Sequence, residues 1–107
     1  MKIDYEQNPL AIVKRFDIPY GENKELHLEG RIYARGEEGL DEVNWFDGEV
    51  RYVKFKCEVG VQNDKFYRAL KKGAPTLEEV EKKLRAWCKF MHLEISDVVI
   101  ETRGIRV

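Results

Sequence analysis

Long apolar runs are missing from this chain. Nowhere do ~18 consecutive apolar residues occur, so no stretch reads as a membrane-spanning helix. The N-terminal residues lack the apolar centre of a signal peptide, so the expectation is a cytoplasmic protein with no membrane partner. Cysteine is scarce. Cys57 and Cys88 have no metal-ligand spacing and fall where core residues are expected, which reads as two inert thiols in a reduced compartment. The only histidines are His27 and His92. No Gly-rich phosphate loop, no nucleophile at a sharp turn and no paired-carboxylate motif stands out, and no cofactor is expected. Internal repeats, low-complexity tracts and interdomain linkers are absent as well.

What remains is enough for one ordinary folded domain. The 107 residues match one domain, 43% hydrophobic content supports a core, and 36% charged residues give that core a well-solvated surface. Net charge is −1, yet residues 1–50 hold 6 Lys and Arg against 12 Asp and Glu, while residues 51–107 hold 13 against 8. Two readings fit this asymmetry: a difference in composition between strands and loops, or a bipolar surface that steers charged partners.

The stretch Val50 to Val61 is the strongest strand signal. Val53, Phe55, Cys57, Val59 and Val61 alternate with Tyr52, Lys54, Lys56 and Glu58, one oily side against one wet side. Leu26 to Arg35 alternates too. Leu26, Leu28, Gly30, Ile32 and Ala34 point one way, and His27, Glu29, Arg31, Tyr33 and Arg35 the other. Gly30 marks a bulge or a close approach of backbone or helix. The two strands are expected to pair antiparallel, leaving 36–49 as a long acidic loop. Leu10 to Ile18 follows Asn8 and Pro9, a good helix start, but its β-formers favour a strand in which only Lys14 breaks parity. Pro19 to Asn23 is a turn. Val98 to Val107 reads as a last strand, after a turn at Ser96 and Asp97.

Two helices are expected between. Asn63 or Asp64 caps Lys65 to Lys72, which Gly73 and Pro75 end. Thr76 and Glu79 form a capping box for a helix reaching about Met91. Leu77, Val80, Leu84, Trp87, Cys88 and Met91 recur at helical spacing and form the face turned to the sheet. Strands first and helices after imply a single α+β domain. Its antiparallel sheet of three to four strands is expected to have one face covered by the long helix, with the short helix at the edge. A solvated sheet edge leaves both a monomer and a homodimer open.

Three surfaces carry functional expectations. On the wet face of the central hairpin, His27, Arg31, Tyr33 and Arg35 would lie beside Tyr52, Lys54 and Lys56. Cations neutralise phosphates and exposed rings stack on bases, so single-stranded RNA or DNA is the first expected partner. The alternative is a protein partner held by the acidic loop, where Asp41, Glu42 and Asp47 surround Trp45 and Phe46 like a hot spot with a charged rim. Trp45 and Phe46 could equally fold back into the core. A metal at Asp41, Asn44, Asp47 and Glu49 does not follow the calcium-loop spacing. Third comes metal-independent acid–base chemistry around His27, beside Tyr33 and Arg31. The basic residues of the two helices read as a solvated face, since Glu78, Glu79 and Glu81 occupy the turn that a DNA-recognition helix presents to the bases.

Overall fold

Alternation of apolar and polar residues builds the first half of the molecule, and two capped amphipathic helices build the second. A computed structural model describes residues 12–37, 42–59 and 64–100. Its strands are β1 (Ile12–Tyr20), β2 (Leu26–Glu37), β3 (Glu42–Tyr52), β4 (Cys57–Glu58) and β5 (Asp97–Ile100). Its helices are α1 (Lys65–Lys72) and α2 (Leu77–Phe90). The strands form one antiparallel sheet in the order β4-β3-β2-β1-β5, one strand more than the three to four expected. The extra strand is β4: the expected strand 50–61 breaks at residues 53–56, and its second half returns as a short hairpin arm beside β3.

Both helices start and stop for the reasons legible in their sequences. The Asp64 carboxylate accepts from Phe66 N at 2.7 Å, and the Thr76 hydroxyl accepts from Glu79 N at 3.3 Å. Each satisfies an orphan amide of a first turn. Gly73 takes φ 85° and its N–H donates to the Ala69 carbonyl at 3.1 Å, ending α1. Tyr67 and Leu70 of α1 and Val80, Leu84, Trp87 and Cys88 of α2 are buried against Phe16, Ile18, Leu28, Ile32 and Val50 of the sheet. Full burial of such side chains stabilises by ~1.5–3 kcal/mol each before entropy is counted.

Gly30 resolves as a close approach. A Cβ there would lie 3.0 Å from a Leu84 methyl and 3.4 Å from Phe16 Cβ, so α2 crosses β2 where the side chain is missing. The bulge sits instead in β1, between Ile12 and Lys14. Lys14 keeps the inward parity of Phe16 and Ile18, opposite Ile32, and its ammonium pairs with Glu81 of α2. That pairing accounts for a lysine among the oily positions of the first strand.

The central strand differs most from expectation. The chain leaves β3 at Tyr52 and turns through residues 53–56, closed by Lys56 N to the Tyr52 carbonyl at 2.9 Å. Lys56 takes a left-handed φ of 51°. Val53 and Phe55 are therefore 50% and 65% exposed rather than core, and Cys57 is exposed rather than buried. The partner of β2 is Glu42–Tyr52, not the stretch 50–61, so most of the expected acidic loop is strand. β5 covers only the first part of the expected last strand; residues 101–107, like the start of the chain and Asn63, lie outside the described residues. No helix among the described residues is long and apolar enough to cross a membrane.

Candidate functional site

The sheet face away from the helices is laid out by register. Arg15, Arg31 and Glu49 form one row across β1, β2 and β3, and Asp17, Glu29 and Arg51 the next. Tyr33 lies opposite Asp47, and Arg35 opposite Trp45. The charges interlock. Arg31 Nε donates to Glu29 at 2.6 Å, Arg15 reaches the same carboxylate at 3.4 Å, and Arg35 grips Asp47 with two bonds of 2.6 and 3.0 Å. Arg51 stands 3.5 Å from Glu49.

Glu49 is only 3% exposed, and the Tyr33 hydroxyl donates to its carboxylate. Burial, reinforced by that carboxylate, pushes the Tyr33 phenol up to about 12. Four guanidiniums face four carboxylates here, so the flat of the sheet is a neutral lattice and not a bare basic platform.

The seven residues expected to form one nucleic-acid face are thus divided. Arg31 and Arg35 belong to the lattice, and Tyr33 is 2% exposed, its ring closed to stacking. His27 is exposed, with Nδ1 2.8 Å from Asp17. Tyr52 lies opposite Leu28 and so points to the helix side. Lys54 and Lys56 sit in the turn, off the face altogether. Two things separate them: the register turns Tyr52 to the helix side, where a straight strand would also have carried Lys54 and Lys56, and the turn at 53–56 takes both lysines off the sheet.

The turn gathers a different set. Tyr20 and Tyr52 rings lie 6.2 Å apart, Tyr52 and Phe55 6.1 Å apart edge-on, and Lys54 Nζ stands 5.8 Å from the Phe55 ring centre. The same turn closes a cleft of about 370 Å³ lined by Glu29, Arg31, Arg51, Tyr52, Val53 and Lys56, in which Arg31 and Arg51 are paired with Glu29 and Glu49 and Lys56 adds a further positive charge. Its walls are tied. Arg51 Nη2 donates to the Lys56 carbonyl at 2.8 Å, and Val53 N donates to the His27 carbonyl at 3.3 Å. The turn thus holds a polar cleft wall, through Val53 and Lys56, and the exposed Phe55 ring. Arg51 and Phe55 escaped the sequence reading because Phe55 matched the oily parity. The run Lys54-Phe55-Lys56 was the available signal.

The residues expected to contact a protein are engaged by the fold. Phe46 is 7% exposed, and its backbone exchanges two 2.9 Å hydrogen bonds with Ala74. Trp45 Nε1 donates to the Lys72 carbonyl at 3.0 Å. Together they fasten the α1–α2 connection to the edge of β3. Asp47 is held by Arg35, Asp41 lies outside the described residues, and Glu42 opens β3.

Among the described residues, the His27 imidazole meets the Asp17 carboxylate and no Ser or Cys side chain. Asp17 stands between His27 and Ser96, accepting from the Ser96 hydroxyl at 2.5 Å, so the hydroxyl is not on the imidazole. Burial raises the Asp17 pKa, but the hydrogen bonds from Ser96 and His27 outweigh it and hold the carboxyl below its usual range. Tyr33 is six residues along the strand from His27, about 20 Å, so the two do not converge. Among the described residues no group of three or more His, Cys, Asp or Glu could hold a metal ion.

No family model, curated protein or solved structure matches the chain.

Proposed function

We propose that this protein is a non-catalytic binding module for single-stranded RNA or DNA, and that it grips the strand at the β3–β4 turn. The observation that carries the reading is the 65% exposed Phe55 ring between Lys54 and Lys56, in a turn whose Val53 and Lys56 also line a cleft with Arg31 and Arg51. Phosphates fit the cleft, and an unstacked base lies on Phe55 with Tyr52 as its backing ring. Stacking tolerates any base, so the reading implies little sequence preference. An intracellular setting belongs to the same reading.

About three phosphate contacts give a slope of log K against log salt near −2 for a single strand, or roughly 20-fold weaker binding from 50 to 200 mM. Loss of one stacked base costs ~1–3 kcal/mol. The test is fluorescence anisotropy of labelled oligo-dT and oligo-U with the protein, Phe55→Ala, and the double variant Lys54→Ala, Lys56→Ala. Binding at low salt that falls at least about fivefold in Phe55→Ala supports the reading. No binding at low salt, or binding indifferent to both variants, overturns it.

A further inference from the structure

The helical layer carries a second surface that the turn site does not use. Residues 65–90 hold eight Lys and Arg against Glu78, Glu79 and Glu81, in a chain of net charge −1. The two helices run antiparallel. At one end the Phe66 and Phe90 rings lie 5.0 Å apart, and at the other Lys83 Nζ donates to the Gly73 carbonyl at 2.7 Å. Between these ends, half-buried Ala69 of α1 and Ala86 of α2 fall on the same solvent-side stripes as Phe66 and Phe90, by 3- and 4-residue spacing. By that spacing Phe66, Ala69, Ala86 and Phe90 form an apolar seam on the solvent side of the helix pair, small at its middle and aromatic at one end. Phe90 is 50% exposed, an aromatic ring that the fold leaves uncovered on the outside of its longest helix.

The rim is cationic. Lys65, Lys72, Lys82 and Lys89 are exposed and have no ion-pair partner among the described residues, unlike Lys71 and Arg85, which hold Glu58 and Glu81. Charge complementarity therefore selects an acidic occupant, and the apolar seam selects one with an apolar stripe. We propose that the α1–α2 seam docks an acidic amphipathic helix of a partner protein, its apolar stripe on Phe66, Ala69, Ala86 and Phe90 and its carboxylates on the flanking lysines. A nucleic acid suits this surface less well. Phe66 is half-buried with its ring packed on Phe90, so it offers a base less free face than the 65% exposed Phe55. The inference is independent of the turn site.

The probe is a labelled synthetic helix of about 18 residues, with leucines at i, i+4, i+7 and i+11 and glutamates flanking them, beside a scrambled peptide of the same composition. Anisotropy is read for the protein, Phe90→Ser, the double variant Lys82→Glu, Lys89→Glu, and Phe55→Ala. Phe90 and both lysines are exposed, so these variants keep the fold, which thermal melts verify. The proposal expects binding by the ordered peptide, weakened at least about tenfold by either seam variant and untouched by Phe55→Ala. Equal binding of the scrambled peptide would reduce the effect to charge alone and overturn the proposal. Displacement of the peptide by oligo-dT, or no peptide binding at low salt, would overturn it as well.

Discussion

Gly73 is the position where one methyl group should do most damage. It sits at φ 85° and ψ −165°, a region closed to L side chains, with its back against β3. A Cβ built there would overlap the Phe46 carbonyl oxygen and come within 2.7 Å of Trp45 Nε1 and 2.9 Å of Asp47 Cβ. The strained backbone costs ~1–3 kcal/mol. Relieving the overlap means separating Ala74 from Phe46 and Lys72 from Trp45, three hydrogen bonds of ~0.5–1.5 kcal/mol each. With partial relaxation, Gly73→Ala is expected to cost about 3–5 kcal/mol, which in a domain of this size lowers the Tm by more than ~12 °C. Gly21 is the internal control. It also has positive φ, at 98°, but it is exposed and a Cβ would meet only the movable Glu25 carboxylate, so Gly21→Ala should cost ~1–2 kcal/mol. Urea unfolding followed by tryptophan fluorescence measures both. A Gly73→Ala loss within about 0.5 kcal/mol of the Gly21→Ala loss would refute the tight seating of the α1–α2 link on β3.

Three further outcomes are expected. An aromatic disulfide reagent should titrate exposed Cys57 at once in the native protein and spare Cys88 until denaturant is added, because burial pushes the Cys88 thiol up to about 11; two fast thiols would contradict the core. Tyr33→Phe leaves the buried Glu49 carboxylate without its hydroxyl donor and should cost ~1–3 kcal/mol at neutral pH. The Tyr33 pKa is raised in the folded state, so its contribution is whole below pH 10 and fades as pH climbs toward about 12. Urea midpoints at rising pH should therefore converge for the two proteins, and a gap that widens would be the wrong sign. Ser96→Ala should cost ~0.5–1.5 kcal/mol and speed amide exchange in β5. The Asp17 pKa is depressed by that bond, so the stability it confers is present above the usual carboxylate range and lost as pH falls; the variant should show a shallower acid limb.

The helices were legible because their signals are local. Asp64, Thr76, Gly73 and the spacing of Val80, Leu84, Trp87 and Cys88 each act within one or two turns. β1 and β2 were legible from alternation, and Lys14, the one charged residue in the oily parity of β1, is held there by Glu81. β3 was hidden for two reasons. Its inward residue Gly48 is small because Leu70 of α1 fills the space above it, a fact of tertiary packing. Its outward residues Asp47 and Glu49 look like loop acids until Arg35, Tyr33 and Arg51 are found across the sheet. The turn after Tyr52 holds no Gly, Pro or Asn, and Lys56 occupies the left-handed position that those residues usually announce. Two misses placed Val53 and Phe55 in the core and Lys54 and Lys56 on the flat face: the register, which turns Val50 and Tyr52 to the helix side, and the turn itself. The candidate site was therefore half legible: its cations were visible, and their meeting point was not.

The most direct test of the central claim is a heteronuclear NMR titration of the labelled protein with oligo-dT at low salt. The account predicts amide shifts concentrated at Glu29, Arg31 and Arg51 to Lys56, with the Phe55 ring protons moving as a base stacks on them. Shifts spread over Arg15, Arg35 and Asp47 on the flat of the sheet, or no shifts at all, would contradict it.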